Sequence, residues 1–305
     1  MSIYKILYGA NDVYLDVTIK VLQQLSGFND KGSFVATIPA TDRQRCLLFT
    51  DPVFGVLKKI YIYRDNKIWK IVDHTETFEI PIYTSVPNSL IKATNILSSI
   101  HNSIDFKYGD LMKELPEQLM LCKFLPKTAK VLEIGTNIGR SSLVISSILE
   151  DDSQFVTLES CDESANQARE NRDANERKFH IVNAALSLYP LYQVEWVCFT
   201  EPRENSVAVK TCTLNDIRQF NIEFDTLVLD CEGAFYNIIH EFPSILDNIK
   251  LIIVENDYDS KEKKLEVDEI LDKKKFHCVY SEMLPSDDYP HECRDCFFEV
   301  WQRFV

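Results

Sequence analysis

The stretch VLEIGTNIGRSSLVIS, Val131–Ser146, decides how the chain folds. An apolar segment runs into a turn with glycines at 135 and 139, and apolar residues at helical spacing follow it. That order is strand, tight turn, helix. The chain has only 8 glycines among 305 residues. Two of them in one turn mark a place where the backbone is forced close to something.

From Lys130 onward, strand and helix signals alternate. KVLEIG, QFVTLES, KFHIVNA, FDTLVLD and IKLIIVEN read as strands; GRSSLVISSILE, DESANQARENRDAN, FYNIIHEFPSIL and KLEVDEILDKKK read as helices. Alternating βα units predict a mostly parallel sheet with helices on both faces. FHCVYSEM and CFFEVWQRF follow with no helix between them, which predicts one antiparallel edge strand. Upstream, residues 86–128 carry apolar residues at helical spacing, with Pro87 and Pro116 where helices start or kink. Residues 1–85 read as short strands, among them KILYG, SFVATIP, CLLFT and KKIYIYR, separated by turns such as GFNDKG and RDNK. The expected organisation is a small all-β accessory domain over 1–85, a sandwich or barrel that docks or packs, a helical lead-in over 86–128 and an α/β domain over 129–305. The junction is expected near residues 84–90.

Composition narrows the function classes. The 45% hydrophobic content suits a globular protein with a real core. No uninterrupted apolar window is long enough for a membrane span, and the N-terminal residues do not read as a signal peptide. Nine scattered cysteines, an odd number, read as free thiols in a reducing compartment, hence a cytoplasmic protein. The formal net charge is −14; residues 1–85 carry 10 Lys and Arg against 9 Asp and Glu, so the acidity lies in the remainder. An acidic surface repels phosphate backbones and disfavours general nucleic-acid binding.

The glycine turn carries the chemistry. In an open α/β sheet, ligands sit beyond the carboxyl ends of the strands. A dinucleotide fingerprint would read G-x-G-x-x-G. Here Asn137 occupies the middle position and the pattern is E-x-G-x-x-x-G. Glu133, just before the turn, suits a cationic amino group. The next strand ends in Glu159, where an acidic residue accepts hydrogen bonds from ribose hydroxyls. An acid for an ammonium, an acid for a ribose and no phosphate site together describe S-adenosylmethionine. The bland alternatives are a plain tight turn for Gly135, Asn137 and Gly139, and a helix cap for Glu159.

Residues 130–305 resemble a class I S-adenosylmethionine-dependent methyltransferase of the FkbM family. The matching stretches are VLEIGTNIGRSS, FVTLES, VNAALS, VKTCTLNDI, LVLDCEGAFYNII, IIVENDY and FFEVW. The resemblance implies a Rossmann-like seven-stranded sheet with an antiparallel last strand, and methyl transfer to oxygen, often a hydroxyl of a sugar. It implies a cofactor site around Glu133, Gly135, Thr136, Asn137, Gly139, Glu159, Ser160, Ala184 and Asp230. It places Asp230 and Glu232 at the catalytic position, and the acceptor is then a small molecule or a glycan. An acidic cluster of Asp230, Glu255 and Asp257 could hold Mg²⁺, with Glu255, Asn256 and Asp257 ending the fifth strand. Three positions depart from the family pattern: Cys161 stands where a proline is usual after the acid that ends the second strand, Val228 where a lysine is usual, and Phe235 where a glutamate is usual. Val228 and Phe235 keep open one rival, an inactive cofactor-binding or docking protein; a second rival is a methyltransferase of a protein or RNA acceptor that the N-terminal module docks. Asp230 could instead cap the following helix, and Glu255 and Asp257 could be surface acids. His291, Cys293, Cys296 and Cys278 are a poor zinc set, since one CxxC and one His fall short of the usual motif. LPSDDYPHECRD reads better as a hairpin loop.

Overall fold

The computed structural model describes residues 4–18, 20–21, 25–28, 34–64, 67–81, 88–284 and 291–303. The expected junction at 84–90 therefore lies largely outside the described residues. The chain forms two compact units, Met1–Asn88 and Ser89–Val305.

The first unit contains β1 (Tyr4–Ala10), β2 (Val13–Asp16), β3 (Ser26–Phe28), β4 (Phe34–Ile38), α1 (Asp42–Phe49), β5 (Lys59–Arg64), β6 (Lys67–Val72) and β7 (Phe78–Pro81). The strands form two antiparallel sheets, ordered β2-β1-β5-β6 and β3-β4-β7. Ile6, Tyr8, Ile38, Ile60, Ile62, Val72 and Ile80 fill the core. The unit is not all-β, because CLLFT belongs to α1 rather than to a strand. Thr41 caps that helix by accepting a hydrogen bond from the Gln44 amide, and Arg45 and Phe49, four apart, are its buried face. Two cations are buried inside this small unit. Arg45 donates to the carbonyls of Pro39, Asp73 and Glu76. Lys58 pairs with Asp42 and Asp51 at 3.2 and 2.8 Å.

The second unit opens with α2 (Asn88–His101) and α3 (Leu115–Phe124). It continues with β8 (Val131–Ile134), α4 (Arg140–Ile148), β9 (Phe155–Leu158), α5 (Asp162–Ala174) and β10 (His180–Val182). A minor section follows: β11 (Ala185–Leu186), β12 (Leu191–Val194), β13 (Val197–Phe199), β14 (Val207–Val209), β15 (Thr211–Cys212) and α6 (Leu214–Ile217). Then come β16 (Thr226–Leu229), α7 (Phe235–Glu241), β17 (Leu251–Glu255), α8 (Lys261–Lys273), β18 (Phe276–Glu282) and β19 (Phe298–Arg303).

The main sheet has seven strands ordered β10-β9-β8-β16-β17-β19-β18, the Rossmann-like seven-stranded sheet expected from the sequence. The first five are parallel, and β19 is antiparallel to both its neighbours. The antiparallel strand is thus not at the edge as expected; β19 inserts between β17 and β18, and β18 is the edge. Alternation along each strand feeds two cores. Leu132, Leu227, Leu229, Ile252 and Val254 pack with Phe235 and Ile238 of α7 and Val267 of α8. Val131, Val228, Ile253 and Val300 pack with Met120 and Leu121 of α3 and Leu143 and Val144 of α4. Burial on both faces explains why these strands read as apolar runs rather than as alternations.

Candidate active site at the carboxyl ends of the strands

The turn after β8 is held from several sides. Gly135 has φ +97°, and a Cβ there would stand 1.6 Å from the Asp230 carbonyl oxygen. The glycine is therefore demanded by the neighbouring strand β16, whose end donates the Asp230 amide to the Ile134 carbonyl at 3.1 Å. Gly139, at φ +89°, precedes α4 and lies against Ala168 of α5. The Gly135 and Thr136 amides and the Thr136 hydroxyl all donate to the Leu158 carbonyl. Asn137, itself at φ +48°, donates its amide to Glu159 at 2.7 Å. The second Glu159 oxygen accepts from the Cys161 amide at 2.8 Å. Burial raises the Glu159 pKa, and those amides oppose the rise.

Glu133 is buried and does not reach the cavity beyond the turn. Its carboxylate accepts from the Ser141 and Ser142 hydroxyls of α4 at 2.8 and 2.5 Å. Burial pushes its pKa up to about 7. The side-by-side residue on β16 is Val228, so no cation from that strand balances it.

A cavity of about 920 Å³ opens at these strand ends. Of the residues expected around the cofactor, Gly135, Asn137, Glu159, Ser160, Ala184 and Asp230 line it, whereas Glu133, Thr136 and Gly139 stand behind the lining. Glu232 and Glu255 also line it. Glu232 follows β16 with φ +52°, a strained conformation for a residue with a side chain. Gly233 beside it has φ +73°, and a Cβ there would approach the Asp257 carbonyl oxygen to 2.6 Å. Two glutamates that the sequence reading passed over as helix residues complete the wall, Glu114 and Glu117. Glu114 pairs with Arg140 at 2.6 Å. Glu117 Oε2 is buried with no hydrogen-bond partner among the described residues.

The lining holds eight carboxylates against two cationic side chains, Lys113 and Arg140. Burial together with the charges of Glu117 and Glu114 raises the Asp230 pKa. Burial together with Asp230 and Glu117 raises that of Glu255. Glu232 is pushed up to about 8 by burial and by Asp257 within hydrogen-bonding reach. Such a wall favours a cationic occupant, which would restore ionisation of these groups.

The Mg²⁺ expectation finds no support in the geometry of the described residues. Among the described residues, no group of three or more His, Cys, Asp or Glu side chains is placed to hold an ion. Strand β17 ends at Glu255, so Asp257 does not share its face; it pairs with His291 at 2.5 Å. Asn256 turns inward and donates to the Cys296 carbonyl and to Glu299. The zinc reading fails in the same way, and the cysteines are all free thiols. The loop LPSDDYPHECRD lies partly outside the described residues. No helix among them is long and apolar enough to cross a membrane.

No protein-family model matches the chain, and no match was found among curated proteins. Among solved structures it is similar to an O-methyltransferase from Bacillus cereus in complex with SAH, at 15% identity over 72% of this chain and 91% of that one, with a TM-score of 0.37. A ribosomal protein L11 methylase from Lactobacillus delbrueckii subsp. bulgaricus aligns at 13% identity over 65% and 81%, TM-score 0.42. A protein of the NADB-Rossmann superfamily from Streptococcus agalactiae aligns at 12% identity over 66% and 71%, TM-score 0.41.

Proposed function

We propose that the second unit is an S-adenosylmethionine-dependent methyltransferase. The observation that carries this reading is the carboxylate-rich cavity at the ends of β8, β9 and β16, in whose wall Glu117 Oε2 is buried without a hydrogen-bond partner among the described residues. That donor set fits a cofactor bearing a sulfonium and an ammonium. Glu159, at the end of β9, has lone pairs left for ribose hydroxyls after accepting two backbone amides. Asp230, Glu117 and Glu255 offset the positive charge. When bound, the cofactor supplies an electrophilic methyl group.

The chain's own work is then positioning and proton removal. Holding an acceptor hydroxyl in line with the methyl gives much of the rate. Asp230 or Glu232 receives the hydroxyl proton, and a carboxylate whose pKa lies near neutrality makes a competent base. The acceptor class, a sugar or glycan hydroxyl, rests on the FkbM resemblance. Of the three departures, Val228 and Phe235 are buried at 6% and 1% exposure and do not line the cavity, whereas Cys161 does. The test is calorimetry with S-adenosylhomocysteine, followed by its release from S-adenosylmethionine with a panel of glycosides. Absence of binding in the wild type would sink the reading.

A further inference from the structure

The minor section between β10 and β16 places one hairpin at the cavity. Strands β12 and β13 pair with Val194 opposite Val197, leaving Glu195 and Trp196 as a two-residue turn. Glu195 sits at φ +52°, which costs energy for a residue with a Cβ. The turn is held nonetheless, because buried Gln193 donates its side-chain amide to the Glu195 carbonyl at 2.9 Å. The pinned turn places at the cavity an indole that is 58% exposed. Trp196 is the one aromatic residue among the described residues lining the cavity. On the same hairpin, the Cys198 thiol lies within hydrogen-bonding reach of the Ser160 side chain and beside the Glu159 carboxylate. The hairpin therefore stands at the end where Glu159 would hold a ribose. Leu158, Ala184 and Leu186, which end or follow β9, β10 and β11, add apolar lining to the same cavity.

We propose that Trp196 is the stacking platform for the adenine ring of the nucleoside cofactor, with the β12–β13 hairpin as its clamp. This rests on the cofactor reading above. A flat, uncharged heteroaromatic ring gains most from an indole face, while the carboxylates serve the cationic end.

The experiment uses the full chain with S-adenosylhomocysteine, adenosine and homocysteine as separate probes, followed by calorimetry and tryptophan emission. In the wild type, S-adenosylhomocysteine and adenosine should change the emission and homocysteine should not. In Trp196→Leu, the emission of Trp69 and Trp301 should stay constant on titration, and affinity for both adenine-bearing probes should fall by about tenfold or more. Trp196→Phe, which keeps an aromatic face, should bind within a few-fold of the wild type. Circular dichroism matching the wild type separates binding from folding for either variant. A wild type that fails to bind S-adenosylhomocysteine removes the methyltransferase reading. A wild type that binds it, with Trp196→Leu binding equally well, overturns the platform alone, as would an effect confined to the acceptor's KM.

Discussion

At the scale of single residues, the glycine turn was the most legible feature of the sequence, but its cause was not. The spacing pointed to a ligand pressing on the backbone; at Gly135 the pressing group is the Asp230 carbonyl of the chain itself. Gly135→Ala should therefore destabilise by about 3 kcal/mol or more, since a left-handed φ and a backbone clash both oppose it. Gly55, at φ +75° with nothing near its missing Cβ, is the control: Gly55→Ala should cost only about 1 kcal/mol. Urea unfolding of the two variants makes the comparison, and equal costs would refute the clash. The place of Glu159 at the cavity was legible, because an acid that ends a parallel strand lies at the carboxyl rim of the sheet. Glu159→Ala should weaken S-adenosylhomocysteine binding by about 1–3 kcal/mol, read by calorimetry. Glu114 and Glu117 were not legible. An acid just before or in the first turn of a helix looks the same whether it meets water or a cavity, and only the fold shows which.

At the scale of elements, the five parallel strands could be read because each is buried on both faces and so is apolar throughout. The placement of β19 could not be read, since two consecutive strands form a hairpin whichever of them is at the edge. Helix α1 was missed because a short apolar run such as CLLF fits a strand as well as a helix. Its capping threonine was the available signal. Thr41→Ala should lower the stability of the first unit by about 1 kcal/mol, measured on its own unfolding transition. No shift would mean that α1 is held by Arg45 and Phe49 alone. The section over 185–212 went unread because its strands are two to four residues long, too short for any periodicity to show.

At the scale of the whole molecule, buried acids set the pH response. The carboxyls of Glu133 and Glu232 have folded pKa values raised to about 7 and about 8, against about 4.5 in the unfolded chain. The folded state therefore holds more protons between those values. Stability from these groups is complete below pH 4.5 and is lost as pH rises to 8, by at most about 1.4 kcal/mol per pH unit for each group. Urea midpoints should fall from pH 5 to pH 8, and Glu133→Gln should flatten the trend. A midpoint rising over that range would contradict the assignment. The division into units carries its own expectation: a fragment spanning 89–305 should fold and bind S-adenosylhomocysteine. A fragment that is folded by circular dichroism yet does not bind would tie the site to the first unit.

The inserted position of β19 has a consequence for synthesis on the ribosome. Strand β17 is complete at Glu255, yet its permanent neighbour begins only at Phe298. Until Phe298–Arg303 leaves the exit tunnel, the edge of β17 stays open, and β18 emerges first. A direct parallel pairing of β17 with β18 across α8 is an ordinary βαβ crossover, so the nascent chain meets a plausible wrong partner before the right one. Translation speed over the codons that follow Glu255 then becomes a determinant of yield, and a pause there lengthens the time for which an apolar strand edge is offered to other chains.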